Sequence, residues 1–583
     1  MIGMFALALL QSSSPLGPPQ AAGLRPQDTV EARRVFEGNI DAIHKRDRRR
    51  YLSYYLDSPQ LTRNGPGGLQ LGYAPFAAAR DTTWPDSLIA SDLRLVPLQP
   101  GLVYGSYRYR VTQRGVTSMG TSERVFVRTP GGWKIAVSTA FAAPPGTPPP
   151  PVALVGATLL DGTGSAGVPN AIVVVRDGRI ACAGPAGGCR DVEAPRDTMR
   201  LDGMFVMPGI VDAHVHFSQT GWVDGRPDAL DRRADHPFER VQAALEARPE
   251  RFFRAYMCSG VTSVFDVGGF PWTLSLPRRA EDDLEAPRVA AAGPLLSTVS
   301  RPILDLPDSR EILHVADDSI AIRAVRAHVA RGSGAIKVWY IVGRTSDTAA
   351  LQRRVRLIGE ETRRLGARLI VHATSLWAAS DALEAGASLL VHSVEDQPVD
   401  ERFLRLARER GAIYTPTLTV YDGYRQVRER RFAPHYPVDC IDSTTLARAR
   451  ATDTIPGAAT APPGGEQRLR QTMENLMAVH RAGVPVAMGT DAGNPLTLHG
   501  PSVFWEMEMM QQAGLSPLEV LTASTRNGAR AMGRENDLGT LTRGKHADLI
   551  VLRRDPSQDV RHARDLVYVM RGGSMTTPAL LRP

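Results

Sequence analysis

Between residues 205 and 491, short apolar segments alternate with stretches of helical character, and this alternation constrains the fold more than any other feature of the chain. The segments are rich in Val, Ile and Leu, as expected of strands buried on both faces. Eight of them can be counted, at residues 205–214, 261–267, 288–292, 335–341, 368–372, 388–392, 412–417 and 486–491. Eight strands with helices between them predict an α/β fold of the (β/α)8 TIM-barrel type. A doubly wound open sheet is disfavoured because no Gly-rich phosphate loop follows the first segment.

Strand-rich segments flank this region on both sides. "VALVGATLLDGTG" and "AIVVVRDGRIACAG" precede it, and "GTLTRGKHADLIVLRRD" follows it, each punctuated by Gly and Asp turns. The same texture at both ends predicts one small β-sandwich built from residues 152–206 and 536–583. The TIM-barrel domain then occupies residues 207–535.

A Pro-rich stretch, "APPGTPPPPVA" at residues 143–153, predicts a linker over residues 143–151. The region before it, residues 24–142, opens with a helical pattern and ends in alternating strands, which predicts an α+β domain with an antiparallel sheet. Its closing "GGWKIAVST" resembles the last hairpin of NTF2-like (SnoaL-type) domains. That resemblance implies an enzyme, a ligand pocket or a dimerisation module. Because no acid/base pair stands out, we expect a binding or assembly role, with a homo-oligomer as one outcome.

Polar side chains lie within or at the ends of five of the apolar segments. They are His214, His216, Lys337, His372, His392 and Asp491. Each has a structural interpretation when taken singly, since a histidine can be a satisfied core residue and an aspartate can cap a helix. Unpaired charges in apolar runs are costly, however, and the carboxyl ends of parallel strands meet at one face of a barrel. The six residues together therefore predict one metal site.

The set resembles the amidohydrolase superfamily, and the branch it is most similar to contains imidazolonepropionase-related enzymes and prolidase-like dipeptidases. The resemblance covers residues 152–575 and rests on "PGIVDAHVH", "GAIKVWY", "IVHAT", "LLVHSVE" and "GTDAGNP". It implies two divalent metal ions. His214, His216 and Asp491 would bind one ion, and His372 and His392 would bind the other. Lys337, carboxylated by carbon dioxide to a carbamate, would bridge them. The donors suit zinc without excluding manganese, cobalt or iron.

The chemistry that this resemblance implies is hydrolysis of an amide (C–N) bond. A hydroxide held between the metals would be the nucleophile, because coordination lowers the pKa of water. Asp491 would accept its proton as general base and pass it to the leaving nitrogen as general acid. The implied substrate is a dipeptide, a cyclic amide or another small molecule.

Two rival functions come from other classes. Mononuclear deaminases of heterocycles usually carry His-x-x-Glu on strand 5 and need no bridging lysine, whereas here "ATSLW" follows His372 and Lys337 is present. A non-enzymatic barrel that serves as a scaffold for the N-terminal domain is disfavoured by the complete ligand set. Metal stoichiometry separates the three hypotheses.

Substrate selection is expected in the loops after the strands. The candidate substrate-binding residues are Tyr340, Tyr421 and His499. The segment of residues 421–465 is unusually long and rich in proline and arginine, as lids and binding loops often are. Its arginines suggest that the segment binds a substrate carboxylate. The candidate residues for this role are Arg425, Arg428, Arg430 and Arg431.

The formal net charge is +8, and the densest basic cluster spans residues 44–50. We interpret this cluster as a solvated helix face and expect no nucleic-acid partner, because no interleaved aromatic residues accompany it. No apolar run approaches the roughly 20 residues of a transmembrane helix, so we expect no membrane span. Cys182 and Cys189 bracket a Gly-rich turn, and a disulfide and two free thiols are both open.

The first residues contain an apolar stretch at positions 4–10 followed by small residues. This pattern is typical of a secretory signal, although a basic segment before it is missing. We expect a signal segment at residues 1–23 and a periplasmic or secreted protein, the alternative being a cytoplasmic protein with a frayed terminus.

Overall fold

The structure is a computed structural model that describes residues 26–65, 68–79, 84–85, 87–113, 116–142, 151–192, 195, 197–281, 283–343, 346–456 and 464–583. The chain divides into two compact units, residues 1–147 and 148–583. The predicted signal segment and residues 143–150 of the predicted linker lie outside the described residues. Among the helices of the described residues, none is both long enough and apolar enough to cross a bilayer.

The N-terminal unit combines three helices with one sheet. The helices are α1 (Pro26–His44), α2 (Arg48–Ser53) and α3 (Tyr73–Ala78). The strands are β1 (Thr62–Gly65), β2 (Gly68–Leu71), β3 (Ser87–Gln99), β4 (Leu102–Gln113), β5 (Val116–Thr129), β6 (Gly132–Thr139) and β7 (Phe141–Ala142). The sheet order is β2-β1-β6-β5-β4-β3, and β7 pairs with β5. All of these pairs are antiparallel except β1 with β6, which corrects the expectation of a purely antiparallel sheet.

One face of α1 forms the core of this unit with the sheet. Ala32, Phe36 and Ile40 are buried at helical spacing, and the ring of Phe36 meets the edge of Tyr107 in β4 at 4.8 Å. Arg124 in β5 is also buried. Its guanidinium donates to the hydroxyl of Tyr107 at 2.8 Å and to that of Ser122 at 2.6 Å, so both terminal nitrogens are satisfied within the sheet.

The second unit contains the remaining strands. They are β8 (Val152–Val155), β9 (Thr158–Leu159), β10 (Ala171–Arg176), β11 (Arg179–Pro185), β12 (Thr198–Arg200), β13 (Phe205–Pro208), β14 (Ile210–Val215), β15 (Val261–Asp266), β16 (Arg288–Ala291), β17 (Leu295–Ser297), β18 (Asp305–Leu306), β19 (Ser309–Arg310), β20 (Ile312–His314), β21 (Ala335–Trp339), β22 (Arg368–His372), β23 (Leu389–Val391), β24 (Ile413–Thr415), β25 (Leu549–Leu552), β26 (Leu566–Arg571) and β27 (Ser574–Thr576).

Its helices are amphipathic or buried. They are α4 (Phe238–Ala247), α5 (Glu250–Cys258), α6 (Leu276–Glu281), α7 (Asp318–Ala330), α8 (Thr348–Arg364), α9 (Leu376–Glu384), α10 (Glu401–Glu409), α11 (Thr419–Arg428), α12 (Ser443–Arg450), α13 (Gly465–Arg481), α14 (Ser502–Ala513), α15 (Pro517–Thr522) and α16 (Gly528–Ala531).

Strands from both flanks of the central region pack together. One sheet has the order β11-β10-β8-β12, and the other has the order β27-β26-β25-β13-β9. In the second sheet β13 pairs antiparallel with β25, which joins residues 205–208 to residues 549–552. Leu154, Val173 and Val551 belong to one buried apolar cluster that both flanks supply, so the two ends of the unit share a core.

The central region is built from parallel strands. One sheet has the order β14-β15-β16 and the other β20-β17-β21-β22-β23-β24, with every pair parallel. Single parallel bridges join Val215 to Ala492 and Tyr414 to Val486, so the segment 486–492 lies between β24 and β14. The chain is therefore a mixed α/β protein, and the predicted barrel closure is taken up below.

Three predicted strands differ in the structure. The first is divided at Gly209 into β13 and β14, which join different sheets; a Cβ at Gly209 would lie 2.0 Å from Oγ1 of Thr262, so only glycine fits this turn. The third ends at Ala291, one residue before its predicted end, and after a turn at Gly293, where φ is +73°, the chain forms β17, which was not predicted. The eighth, predicted at residues 486–491, pairs with its neighbours through single bridges rather than through a continuous ladder of hydrogen bonds.

Two disulfides join all four cysteines. Cys182–Cys189 closes a turn at the end of β11. Of the two alternatives that the sequence left open, a disulfide and two free thiols, the structure has the disulfide. Cys258–Cys440 joins the end of α5 to the segment between α11 and α12, across 182 residues of sequence. The sequence did not predict this second pair.

Candidate metal centre and its cavity

The six predicted ligands lie at one end of the parallel strands. His214 is in β14, Lys337 is in β21 and His372 ends β22, while His392 directly follows β23. The ladders place Trp339 beside His372 and His372 beside Val391, so these strand ends are in register. Five of the six are buried, and His372 is partly buried.

Several ligand atoms converge on the carboxylate of Asp491. Its Oδ1 lies 3.3 Å from Nε2 of His214 and 3.1 Å from Nε2 of His216, and its Oδ2 lies 3.9 Å from Nε2 of His392. One ligand atom each from His214, His392 and Asp491 lies within 4.8 Å of the others. The ring centroids of His372 and His392 are 4.3 Å apart. The structure thus brings the predicted histidines and the aspartate together.

The site contains buried polar atoms that no described residue satisfies. Both ring nitrogens of His214 and Oδ1 of Asp491 lack a hydrogen-bond partner there. Buried polar groups are normally paired, because an unsatisfied one costs about 1–3 kcal/mol. Imidazole nitrogens and a carboxylate are the donors that zinc binds most often. These residues therefore fit a divalent metal ion.

Hydrogen bonds outside the ligand set orient the imidazoles. Nδ1 of His392 shares a 2.7 Å hydrogen bond with Oγ1 of Thr417, and Nδ1 of His216 contacts the carbonyl oxygen of Gly268. In each ring the Nδ1 atom is engaged, so Nε2 faces the site. Such outer contacts fix the tautomer and the orientation of metal-binding histidines.

The backbone is left-handed at two of the ligands and at one supporting residue. The φ angles are +72° at His392, +62° at Asp491 and +50° at Thr417. Residues other than glycine adopt this region rarely and at a cost, and such strain concentrates at functional sites. At Asp491 and His392 it turns the side chain towards the shared site immediately after a strand-like segment.

Asp212 joins the first strand to the eighth. Its carboxylate accepts from the backbone N–H of Thr490 at 3.0 Å, from the hydroxyl of Thr490 at 2.7 Å and from the N–H of His214 at 3.3 Å. Complete burial raises the pKa of Asp212 to about 7. A Cβ at Gly489 would approach Cβ of His214 to 2.8 Å, so glycine allows the two segments to come this close. Asp212 therefore positions both His214 and Asp491.

Burial controls the charge of the remaining groups. It lowers the pKa of Lys337 to about 7, although Asp491 and Asp266 oppose this effect. It also lowers the pKa of His214, His372 and His392 well below the ordinary histidine value, with Lys337 contributing in each case. These three imidazoles are therefore neutral, which is the form that binds metals. At His216 burial again lowers the pKa, but the adjacent carboxylate of Asp491 outweighs it and the pKa is raised.

The candidate site opens into a cavity of about 930 Å³. All six predicted ligands line it. Apolar side chains also line it, namely Leu295, Leu304, Ile312 and Trp339. Arginines contribute to the lining as well, namely Arg226, Arg425, Arg428, Arg468 and Arg470. A cavity of this size holds a small molecule with both apolar and charged parts.

Of the three predicted substrate-binding residues, only Tyr421 lines this cavity, and its hydroxyl donates to Oε2 of Glu395 at 2.8 Å. Tyr340 is buried away from the lining and donates to Oδ2 of Asp381 at 2.9 Å. His499 stacks on Phe252 with ring centroids 3.8 Å apart, and its Nε2 shares a 3.0 Å hydrogen bond with the carbonyl of His216. Tyr340 and His499 thus pack behind the site rather than facing a substrate.

Many polar lining residues were not predicted from the sequence, and four of them lie near the candidate ligands or near one another. They are Gln219, Arg226, Glu311 and Asn494. Arg226 forms a two-pronged ion pair with Asp228 and also donates to Oδ1 of Asn494. Gln219 and Asn494 stand three residues after His216 and Asp491, so proximity to the ligands was an available signal for them. No motif surrounds Glu311.

A buried His/Asp set at the ends of parallel strands is the arrangement expected of a metal-dependent hydrolase. Residues 205–578 match the sequence model of the Amidohydrolase family. The chain belongs to this family, whose members are metal-dependent hydrolases that act on C–N bonds. The prediction of the superfamily and of an enzyme is confirmed.

Known relatives include ochratoxinase of Aspergillus niger, which is 25% identical over 440 residues, covering 70% of this chain and 82% of the relative. Imidazolonepropionase of Caulobacter vibrioides is 27% identical over 423 residues, covering 71% and 94%. Among solved structures, a Xaa-Pro dipeptidase with bound methionine has a TM-score of 0.56 at 21% identity and covers 73% of this chain and 100% of its own. The structure of A. niger ochratoxinase has a TM-score of 0.57 at 21% identity, covering 74% and 96%. These structures support the fold.

Proposed function

We propose that the protein is a metal-dependent amidase that cleaves the C–N bond of a small acidic amide, such as a dipeptide or a cyclic amide. The observation that carries this proposal is the convergence of His214, His392 and Asp491, with unsatisfied buried atoms, at the base of a 930 Å³ cavity. The names of the relatives, which include an imidazolonepropionase and a Xaa-Pro dipeptidase, point to the same class of bond.

We infer that the parallel strands close as a (β/α)8 barrel. The bridges of residues 486–492 join β24 to β14. On the other side, β16 pairs with β15 and β17 pairs with β21, and only three residues separate β16 from β17. Counting β16 and β17 as one interrupted strand gives eight positions around a ring. In such a barrel the carboxyl ends of the strands carry the active site.

We further propose two divalent metal ions, with zinc as the first choice. His214, His216 and Asp491 would hold one ion and His372 and His392 the other, with Lys337 between them as a carbamate. When bound, such ions lower the pKa of water and polarise the scissile carbonyl. A carbamate on Lys337 would replace a buried amine by an anionic oxygen donor, which suits a lysine whose pKa burial lowers to about 7.

Asp491 is the proposed proton carrier. Its Oδ1 lies 3.3 Å and 3.1 Å from Nε2 of His214 and His216, whereas its Oδ2 lies 3.9 Å from Nε2 of His392. Oδ2 would therefore take the proton from the attacking water and pass it to the leaving nitrogen, which departs as an amine. The imidazoles of His214, His372 and His392, whose pKa values burial lowers, do not compete for that proton.

The deciding experiment combines metal analysis with a hydrolysis screen of the purified full chain. About two metal ions per chain and turnover of a dipeptide, lactam or other amide would support the proposal. One ion per chain with release of ammonia from a heterocycle would instead support a mononuclear deaminase. Absence of metal and of turnover would leave a scaffold and would refute the proposal.

The arginines of α11 and α13 supply a recognition site for a substrate carboxylate. Arg425 is already paired with Asp422 and Glu429, whereas Arg428 and Arg468 line the cavity and form no ion pair within the described residues. A free guanidinium binds a carboxylate with charge-assisted hydrogen bonds. Of the four arginines in the sequence-based hypothesis, Arg428 is thus the remaining candidate, and Arg468 of α13 is added to it.

The variants Arg428→Ala and Arg468→Ala test this site. Each is expected to raise the KM for an amide that carries a carboxylate by about 10-fold, without changing the KM for the corresponding neutral carboxamide. Arg431→Ala is the matched control, because Arg431 is exposed on the same segment but does not line the cavity. Equal effects on charged and neutral substrates would contradict the assignment.

For the N-terminal unit we propose an NTF2-like domain with a binding or assembly role. The packing of the long helix α1 on one twisted sheet supports this, as does the exposure of Val96 and Leu98 on the edge strand β3. Sedimentation of the full chain, and of a Val96→Lys/Leu98→Lys variant, tests the assembly role. A wild-type monomer, or an oligomer that the variant leaves intact, would contradict assembly through this edge.

We also propose a periplasmic or secreted location. Both disulfides support it, because structural disulfides persist in oxidising compartments and are rare in the cytosol. Fractionation of cells that express the full chain, with mass measurement of the mature N-terminus, tests this proposal. An uncleaved chain with reduced cysteines in the cytosol would overturn it.

A further inference from the structure

Two neighbouring acceptor oxygens in the cavity lining have no donor. Oε2 of Glu311 and Oε1 of Gln219 are buried and meet no hydrogen-bond donor in the part of the chain that the structure describes. The two side chains are 1% and 4% exposed, yet both line the cavity. An acceptor left unpaired at this depth is unfavourable, and a carboxylate more so than an amide. The pair can therefore accept a hydrogen bond from a ligand or from water.

The hydrogen bonds within the pair leave these two oxygens free. Oε1 of Glu311 accepts from the hydroxyl of Ser218 at 2.7 Å and from the amide nitrogen of Gln219 at 3.4 Å. Because the amide nitrogen of Gln219 faces the carboxylate, its oxygen faces away from it. One charged and one neutral acceptor on adjacent side chains suit a cation with several N–H groups, and an ammonium group has three.

The neighbouring cation does not fill this role. Arg226 lies near enough to favour ionisation of Glu311, although burial raises the pKa of that carboxyl overall. Its guanidinium, however, is engaged by both oxygens of Asp228 and by Asn494. The carboxylate of Glu311 is therefore held near a positive charge without a direct ion pair.

The chemistry around the pair defines the rest of the ligand. Leu295, Leu304 and Ile312 line the same cavity, and Trp339 adds an aromatic surface. They offer an apolar environment for an aliphatic chain attached to the cation. Because Glu311 is almost fully enclosed, only a small cationic group can reach it.

We propose that Glu311 and Gln219 bind a primary ammonium group of the substrate, as in an amide whose acyl part carries a free α-amino group and an apolar side chain. This inference rests on the proposed amidase function and narrows its substrate to compounds with an unblocked amine. With Arg428 and Arg468 on the lining from α11 and α13, such a substrate is a zwitterion.

The kinetic test uses Glu311→Gln, which keeps the shape and removes the charge. The wild-type enzyme is expected to cleave a free dipeptide such as leucyl-leucine with a KM about 10- to 100-fold below that of the N-acetyl dipeptide. The variant is expected to lose this preference through KM, with metal content unchanged. Glu466→Gln is the control, because Glu466 lines the cavity but is 91% exposed in its side chain.

A binding test separates this inference from the proposed function. Titration calorimetry would compare 3-methylbutylamine with 3-methylbutanol on the metal-loaded protein at pH 7. The wild type is expected to bind the amine at least 10-fold more tightly than the alcohol. Glu311→Gln is expected to bind the amine and the alcohol with equal affinity, and Gln219→Met to lose a smaller part of the preference for the amine. Amine binding without any amide hydrolysis would retain the inference and refute the amidase. Equal binding of amine and alcohol to the wild type would refute the inference, leaving water as the donor.

Discussion

The imidazole of His392 and the hydroxyl of Thr417 share a 2.7 Å hydrogen bond between Nδ1 and Oγ1, and both residues have a left-handed backbone. The two lie just after neighbouring parallel strands, β23 and β24. When Nδ1 donates to Thr417, the lone pair of Nε2 is directed at Asp491 and the candidate metal. The unusual backbone of two residues on adjacent strand ends thus orients one ligand atom.

Replacement of Thr417 by valine is expected to lower metal affinity about 10- to 100-fold, because the orientation of His392 is lost. Metal titration monitored by calorimetry measures the effect. Thr415→Val is the matched control, since the buried hydroxyl of Thr415 has no partner within the described residues. Thr417→Ser is expected to restore the affinity. Equal affinities of the Thr417→Val and Thr415→Val proteins would contradict the role of this hydrogen bond.

Lys337→Met is expected to reduce the bound metal from about two ions per chain to one or fewer. The metal-free variant should be at least as stable as the metal-free wild type, because a neutral methionine avoids the burial of an amine that is 2% exposed. Elemental analysis and urea unfolding provide the two measurements. Lys337→Arg serves as control, since it keeps a cation but cannot form the carbamate. A full metal complement in either variant would exclude Lys337 as a ligand.

Glu506 controls the start of α11, which lines the cavity. Its two oxygens accept from the backbone N–H groups of Leu418 at 2.9 Å and Thr419 at 2.7 Å, while burial raises its pKa to about 8. A carboxyl with a raised pKa stabilises the fold most when protonated. Its contribution is complete below about pH 4.5 and is lost as the pH rises to about 8.

The stability of the wild type relative to Glu506→Gln should therefore fall between pH 5 and pH 8, by at most about 1.4 kcal/mol per pH unit. Urea unfolding at several pH values measures this difference. If the stability of the wild type relative to Glu506→Gln instead rises with pH, the prediction is wrong. The two N–H donors and the helix dipole would then hold Glu506 ionised despite its burial, and its pKa would be lowered.

The two disulfides should contribute unequally to stability. For a chain that unfolds as a coil, the entropy of the closed loop gives about 5 kcal/mol for Cys258–Cys440, across 182 residues, and about 2 kcal/mol for Cys182–Cys189, across 7 residues. Urea unfolding of the Cys258→Ser/Cys440→Ser and Cys182→Ser/Cys189→Ser proteins compares them.

The Cys258–Cys440 bridge should also affect activity, because it anchors the segment that follows α11. Its removal is expected to raise KM, whereas removal of Cys182–Cys189, which lies in a different sheet region, should leave KM unchanged. Equal KM values for both double variants would show that the bridge does not position the cavity wall.

The candidate ligands could be read from the sequence because a strand alternates its side chains with a period of two and ends abruptly in a parallel fold. The short motifs "DAHVH" and "GTDAG" therefore suffice to place His214, His216 and Asp491 at strand ends. The family model matches residues 205–578, which contain both motifs. Tyr340 and His499 lie outside the cavity lining, a placement that the sequence could not give because facing the site and packing behind it look alike in one dimension.

Glu311 and Gln219 show why other residues of the cavity could not be predicted from the sequence. They are 92 residues apart, and only their hydrogen bond leaves two acceptor oxygens free in one cavity.

The sequence by itself determined the class of protein and the approximate carboxyl ends of the central strands, since motifs and periodicity are local properties, and it predicted the candidate ligands. Only the tertiary structure decided which arginines remain unpaired, which cysteines join across the chain and which acceptors lack a donor. Each of these depends on distances between segments that are remote in sequence, and packing alone sets those distances.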